Sequence, residues 1–76
     1  MKHVIEVFDK QTEELLLSVE IPRNRHDKLA KLMDWQTVED EFDGYDLSPE
    51  QVQTLEAWTG KSLKDANHIV QLVCIE

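Results

Sequence analysis

The stretch from His68 to Ile75, HIVQLVCI, is apolar at alternate positions on both sides, and it constrains this chain more than any other segment. Successive side chains of a β-strand point to opposite faces, so such a run belongs inside a sheet or under cover on both sides. Two earlier runs are candidates to flank it. His3–Asp9 (HVIEVFD) and Leu15–Ile21 are rich in β-branched and large apolar residues and are separated by a short polar stretch containing Lys10, Gln11 and Thr12, which predicts a β-hairpin. In the second run Leu15, Leu17, Val19 and Ile21 alternate with Leu16, Ser18 and Glu20, so the first set is expected to be buried and the second to lie largely in water. Val4, Phe8 and Leu16 fall opposite the main apolar set and leave a partly apolar strip on the other sheet face. That strip is ordinary surface, is covered by irregular segments, or meets a partner.

The residues between the hairpin and the last strand read as two helices. Pro22 removes a ladder donor and ends the second strand, after which Asn24, with Asp27 three positions on, can cap a helix from Arg25 to Asp34 or Trp35. This helix carries Leu29, Leu32 and Met33 on one face. The next start signal is sharper. Ser48 as N-cap, Pro49 at the first helical position and Gln51 at the third form a capping box, with Leu47 and Val52 at the hydrophobic-staple positions. Gly60 then supplies a left-handed end, so the second helix is expected over 49–59, with Leu55 and Trp58 continuing its apolar face.

The order is therefore β-β-α-α-β, an α+β domain with a three-stranded sheet and two helices packed on one face. The last strand is expected to run parallel to the first or antiparallel to the second. A length of 76 residues suits one domain, 1–76, with a single small core. Cys74 is the one cysteine, so no internal disulfide framework exists, and no stretch resembles a signal peptide or a membrane span; a cytoplasmic location is the expectation.

Sixteen acidic residues face eight basic ones, for a formal net charge of −8. Phosphate binding needs Lys and Arg, so direct contact with nucleic acid or an anionic membrane is not expected. Half of the acids (Asp34, Glu39, Asp40, Glu41, Asp43, Asp46, Glu50 and Glu56) lie between Leu32 and Gly60, a stretch without Lys or Arg. Two accounts fit such a block. It is a solvated loop that maintains solubility, or it is a docking surface for a basic protein, with Glu39, Asp40, Glu41, Asp43 and Asp46 steering and pairing and Phe42 and Tyr45 as anchors. Clustering favours the second, because crowded like charges oppose the compact state and solubility does not require it. Trp58 is expected in the core; Trp35 is either an anchor or the residue that closes the first helix against the sheet.

Nothing in the chain reads as catalytic machinery. His68 and Cys74 lie on one strand face but about 20 Å apart, beyond hydrogen-bond reach, and Cys74 between Val73 and Ile75 reads as a small core residue. His3, His26 and His68 show no zinc-ligand spacing, and no glycine-rich phosphate loop is present, so no enzyme, cofactor or metal is expected. Arg23, Arg25, Lys28 and Lys31 cluster at the start of the first helix; Lys28 and Lys31, with Asp27 nearby, read as a solvated face, and the alternative is a small anion site at that helix start. One short pattern stands apart. Glu39 to Glu50 has the outline of a calcium loop, with acids at positions 1, 3 and 5, glycine at 6 and glutamate at 12. It departs from that family in having Glu39 at position 1 and Asp46 at position 8, where an apolar residue belongs.

The opening MKHVIEVFDKQTEEL, together with small size, acidity and aromatic residues in an acidic loop, resembles the small bacterial immunity proteins encoded beside contact-dependent or bacteriocin-type toxins. The resemblance implies a partner, a cognate basic toxin domain of the nuclease type, whose cleft the protein blocks without any chemistry of its own. The alternatives are a calcium-binding module using residues 39–50 and a homo-oligomeric scaffold or adaptor that associates through an exposed edge of the second or last strand.

Overall fold

In the computed structural model, which describes residues 2–75, the chain is an α+β domain with a four-stranded antiparallel sheet and two α-helices. The elements run β1 (Lys2–Asp9), β2 (Leu15–Glu20), α1 (His26–Leu32), β3 (Tyr45–Asp46), α2 (Pro49–Thr59) and β4 (His68–Ile75). Short 3-10 turns at Arg23–Arg25 and Val38–Phe42 precede α1 and β3. The strand order is β2-β1-β4-β3, so β4 is interior, as its two-sided apolar pattern requires.

Two expectations about the sheet are corrected. There are four strands, not three: Tyr45 and Asp46 pair with Leu72 and Gln71 and cover the far edge of β4. A two-residue strand in an acidic segment has too little alternation to be read from sequence. The last strand also runs antiparallel to β1, with Ile5 opposite Leu72 and Val7 opposite Val70, instead of in the same sense as the first strand or beside the second. The extra passage through β3, antiparallel to β4, reverses the direction in which the chain re-enters the sheet.

The core lies on one sheet face. Ile5, Val7, Val70 and Leu72 meet Leu29 of α1, Val52 and Leu55 of α2, and Ile21 and Leu63 from the connecting segments. Trp35, Leu47 and Trp58 pack against this cluster while staying partly exposed. At roughly 25 cal/mol per Å² of apolar area, full burial of each such aliphatic side chain contributes about 1.5–3 kcal/mol before entropy is charged. β2 does not follow its alternation. Leu15 and Leu17 are 51% and 37% exposed, as is Leu16 at 48%, and only Val19 and Ile21 reach the core. β2 is an edge strand, and its pairing with β1 shifts register between Val7 and Phe8, at the end that carries Leu15 and Leu17.

The helix signals are unequal. Ser48 accepts from the Gln51 N–H (3.2 Å), Gln51 Oε1 accepts from the Ser48 N–H (2.9 Å), and Gly60 ends α2 at φ 69°, all as the capping box and terminal glycine predict. α1 begins instead after Arg25 and has no side-chain cap, because Arg23–Arg25 winds as a 3-10 turn and displaces Asn24 from the capping position. α1 ends when Asp34 takes a left-handed backbone, φ 56°, and the Trp35 N–H returns to the Ala30 carbonyl (3.1 Å). That reversal turns Trp35 back toward the first strand.

Candidate functional site

The acidic segment is built around the Val38–Phe42 turn. Thr37 and Asp40 form a second capping box, and Asp40 Oδ2 accepts from the N–H groups of Gln36 (2.8 Å) and Thr37 (3.2 Å). Those two bonds hold the Asp40 carboxyl below the ordinary Asp value. Tyr45 donates its hydroxyl to the Asp40 carbonyl (2.6 Å), which ties β3 to the turn. Burial, then the charges of Asp43 and Asp40, push this phenol above its usual range. Tyr45 is therefore half-buried structure, not the exposed anchor expected of it.

The seven candidate docking residues separate into two groups. Glu39, Phe42, Asp43 and Asp46 are exposed, whereas Asp40, Glu41 and Tyr45 are partly buried and engaged. Phe42 is 51% exposed and Val38, one turn away, 73%. Asp46 accepts a hydrogen bond from Gln71 Nε2 (2.8 Å). Among the described residues, no acid is paired with Lys or Arg; the ion pairs are those of His26 with Asp27 and with Glu41. The outer face of the turn thus presents two apolar side chains among carboxylates whose charge no internal cation neutralises.

The inner face meets residues that sequence spacing did not connect. Glu41 Oε2 lies 2.8 Å from His26 Nε2, and the His26 ring lies 5.5 Å from that of His3, centroid to centroid. Trp35 stands 5.4 Å from His3 and 6.3 Å from Tyr45, so His26, His3, Trp35 and Tyr45 form a chain of ring contacts behind the acidic turn. Reading the histidines as isolated fails here, since β1, α1 and the turn deliver His3, His26 and Glu41 to one place. The available signal was the alternation of β1, which puts His3 on the face of Ile5 and Val7. His3 is 8% exposed and its Nε2 has no hydrogen-bond partner. Burial lowers its pKa from the ordinary value, opposed by the charge of Glu41 and reinforced by His26.

The carboxylates of the calcium-like loop do not converge. The group of three or more possible metal ligands among the described residues is His3, His26 and Glu41, while Asp40 caps its own turn and Ser48 and Gln51 account for the start of α2 without an ion. The other histidine and the cysteine lie elsewhere: His68 contacts the Leu63 carbonyl through Nδ1 (3.1 Å), and Cys74 stands across from His3 between β4 and β1. No helix among the described residues is long and apolar enough to cross a membrane.

A small α+β domain with an acidic, partly apolar projecting turn is the class that fold and site define. Within that class, the chain belongs to the family DUF7683, a domain of unknown function, whose model matches residues 2–73. No curated protein and no solved structure matches it.

Proposed function

We propose that this chain is a protein-binding inhibitor of the immunity type, whose acidic turn docks into the basic cleft of a cognate toxin domain, most plainly a nuclease. The observation that carries the reading is the outer face of the Val38–Phe42 turn, where Val38 and Phe42 are exposed beside Glu39 and Asp43 with no Lys or Arg to neutralise them. Interfaces draw most of their energy from a few large side chains, while surrounding charge speeds encounter and selects partners of opposite sign. Carboxylates fixed on a folded scaffold mimic the phosphates that such a cleft attracts, and occlusion needs no chemical step. The interface residues under this reading are Glu39, Phe42, Asp43 and Asp46. Asp40, Glu41 and Tyr45 hold the turn in shape.

The test uses Glu39→Lys/Asp43→Lys and, separately, Phe42→Ala. Both variants are expected to fold and to lose capture of a basic polypeptide from native-host lysate. Undiminished capture by the folded double variant would sink the proposal.

The edge strand β2 favours a second reading, self-association, because Leu15, Leu16 and Leu17 are exposed on an unpaired edge. Its test is mass against concentration by light scattering. A dimer that Leu16→Lys dissolves supports it, and a constant monomer mass removes it. The last strand offers no such edge, being interior.

A further inference from the structure

We infer that His3, His26 and Glu41 bind one divalent transition-metal ion of the zinc class, which fastens the acidic turn to the sheet. Two histidines and a carboxylate are a ligand set that zinc accepts, with bonds of about 2.0–2.2 Å and a fourth position free for water. The candidate ligand atoms all lie within 4.8 Å of one another. In a tetrahedral site with such bonds they would stand about 3.3–3.4 Å apart, so small side-chain rotations close the cluster around an ion. His26 Nε2 and Glu41 Oε2 start at 2.8 Å and need to part slightly, as an ion takes the place of the proton between them.

The independent observation is His3. Its side chain is more than nine-tenths buried, yet Nε2 meets no hydrogen-bond partner. An unsatisfied buried polar atom is unfavourable where it persists, and a metal bond removes that penalty. The three residues line a cavity of about 310 Å³ bounded also by Ile21, Pro22 and Leu29. The cavity gives an ion a route in and leaves room for water on its open side. Glu20 adds a carboxylate at this cavity, whereas Lys2 and Arg23 add positive charge, which suits a site whose fourth ligand is water or an anion.

The ligands come from three places far apart in sequence: β1, the first residue of α1, and the Val38–Phe42 turn. A metal would therefore cross-link both strand and helix to the segment that carries the outer acids. This goes beyond the docking reading and stands without it, since binding of the ion involves neither Phe42 nor Asp43.

The experiment is calorimetric titration of the chelator-stripped full chain with Zn²⁺, repeated with Co²⁺ while following visible absorption. His26→Gln and Glu41→Gln are the site variants, His68→Gln is the control for histidine elsewhere, and circular dichroism reports folding of each. The expected result is one Zn²⁺ per wild-type chain and a Co²⁺ spectrum of low coordination number. Each site variant should weaken binding about tenfold or more while staying folded, at or beyond the loss typical for removing even an outer-sphere partner, and His68→Gln should bind as wild type does. The inference is overturned if wild type takes up no Zn²⁺, if the site variants bind as tightly as wild type, or if His68→Gln weakens binding equally.

Discussion

Glu39 and Asp43 share a turn with Asp40 and Glu41, yet the first two project from the fold and the second two are part of it. Asp40 accepts two backbone N–H bonds and Glu41 meets His26, whereas Glu39 and Asp43 are exposed. The same division holds across the molecule. Asp9 accepts from the N–H groups of Gln11 (2.8 Å) and Thr12 (3.0 Å), and Glu56 from those of Leu63 (2.7 Å) and Lys64 (2.9 Å). These acids shape loops at the ends of strands and helices. Acids in this chain are therefore of two kinds, held and projecting, and their count in a segment does not separate them; the donors within reach do.

The largest expected effect tests the inner side. Trp35→Ala removes the ring that joins His3, His26 and Tyr45 behind the turn and should cost about 3 kcal/mol, at the low end for an aromatic truncation because Trp35 stays partly exposed. Urea unfolding measures it, and a loss below about 1 kcal/mol would mean that the ring contacts hold little.

Acid titration sharpens the comparison next. Backbone hydrogen bonds hold Glu56 and Asp9 below their ordinary values of 4.5 and 3.8, so the unfolded chain takes up protons first as pH falls. Their contribution is present above that range and is lost as pH drops through the lowered folded-state values. Glu56→Gln should lower the melting midpoint at neutral pH and flatten its fall in acid. An acid limb in Glu56→Gln identical to that of wild type would mean that the Leu63 and Lys64 N–H bonds do not hold this carboxyl.

The smallest effect on stability is expected from the outer side. Glu39→Lys/Asp43→Lys should shift unfolding free energy by no more than about 0.5 kcal/mol per site, as for surface positions without packed neighbours. A larger loss, read from the urea midpoint, would place these acids in the fold after all.

Much of the architecture was legible because it is locally encoded. Ser48, Pro49, Gln51 and Gly60 set both ends of α2, and the two-sided apolar run of β4 identified an interior strand. What sequence did not show depends on distant partners. β3 has two residues and exists because β4 offers an open edge to Tyr45 and Asp46. Leu15 and Leu17 alternate like core residues, but they stay exposed on the edge strand β2. The candidate site was half legible. Composition located the acidic segment and picked out Phe42, while the inward roles of Asp40, Glu41 and Tyr45 follow from hydrogen bonds that close only in the folded chain. The His3, His26 and Glu41 group has no sequence spacing to reveal it, since three separate elements supply it.

The most direct test of the docking account is capture from native-host lysate at low and high salt, with wild type and Glu39→Lys/Asp43→Lys side by side and the retained polypeptides identified by mass. The account predicts one basic polypeptide held by wild type at low salt, released at high salt and absent from the folded variant. Equal retention of the same polypeptide by both proteins, or retention indifferent to salt, would contradict it.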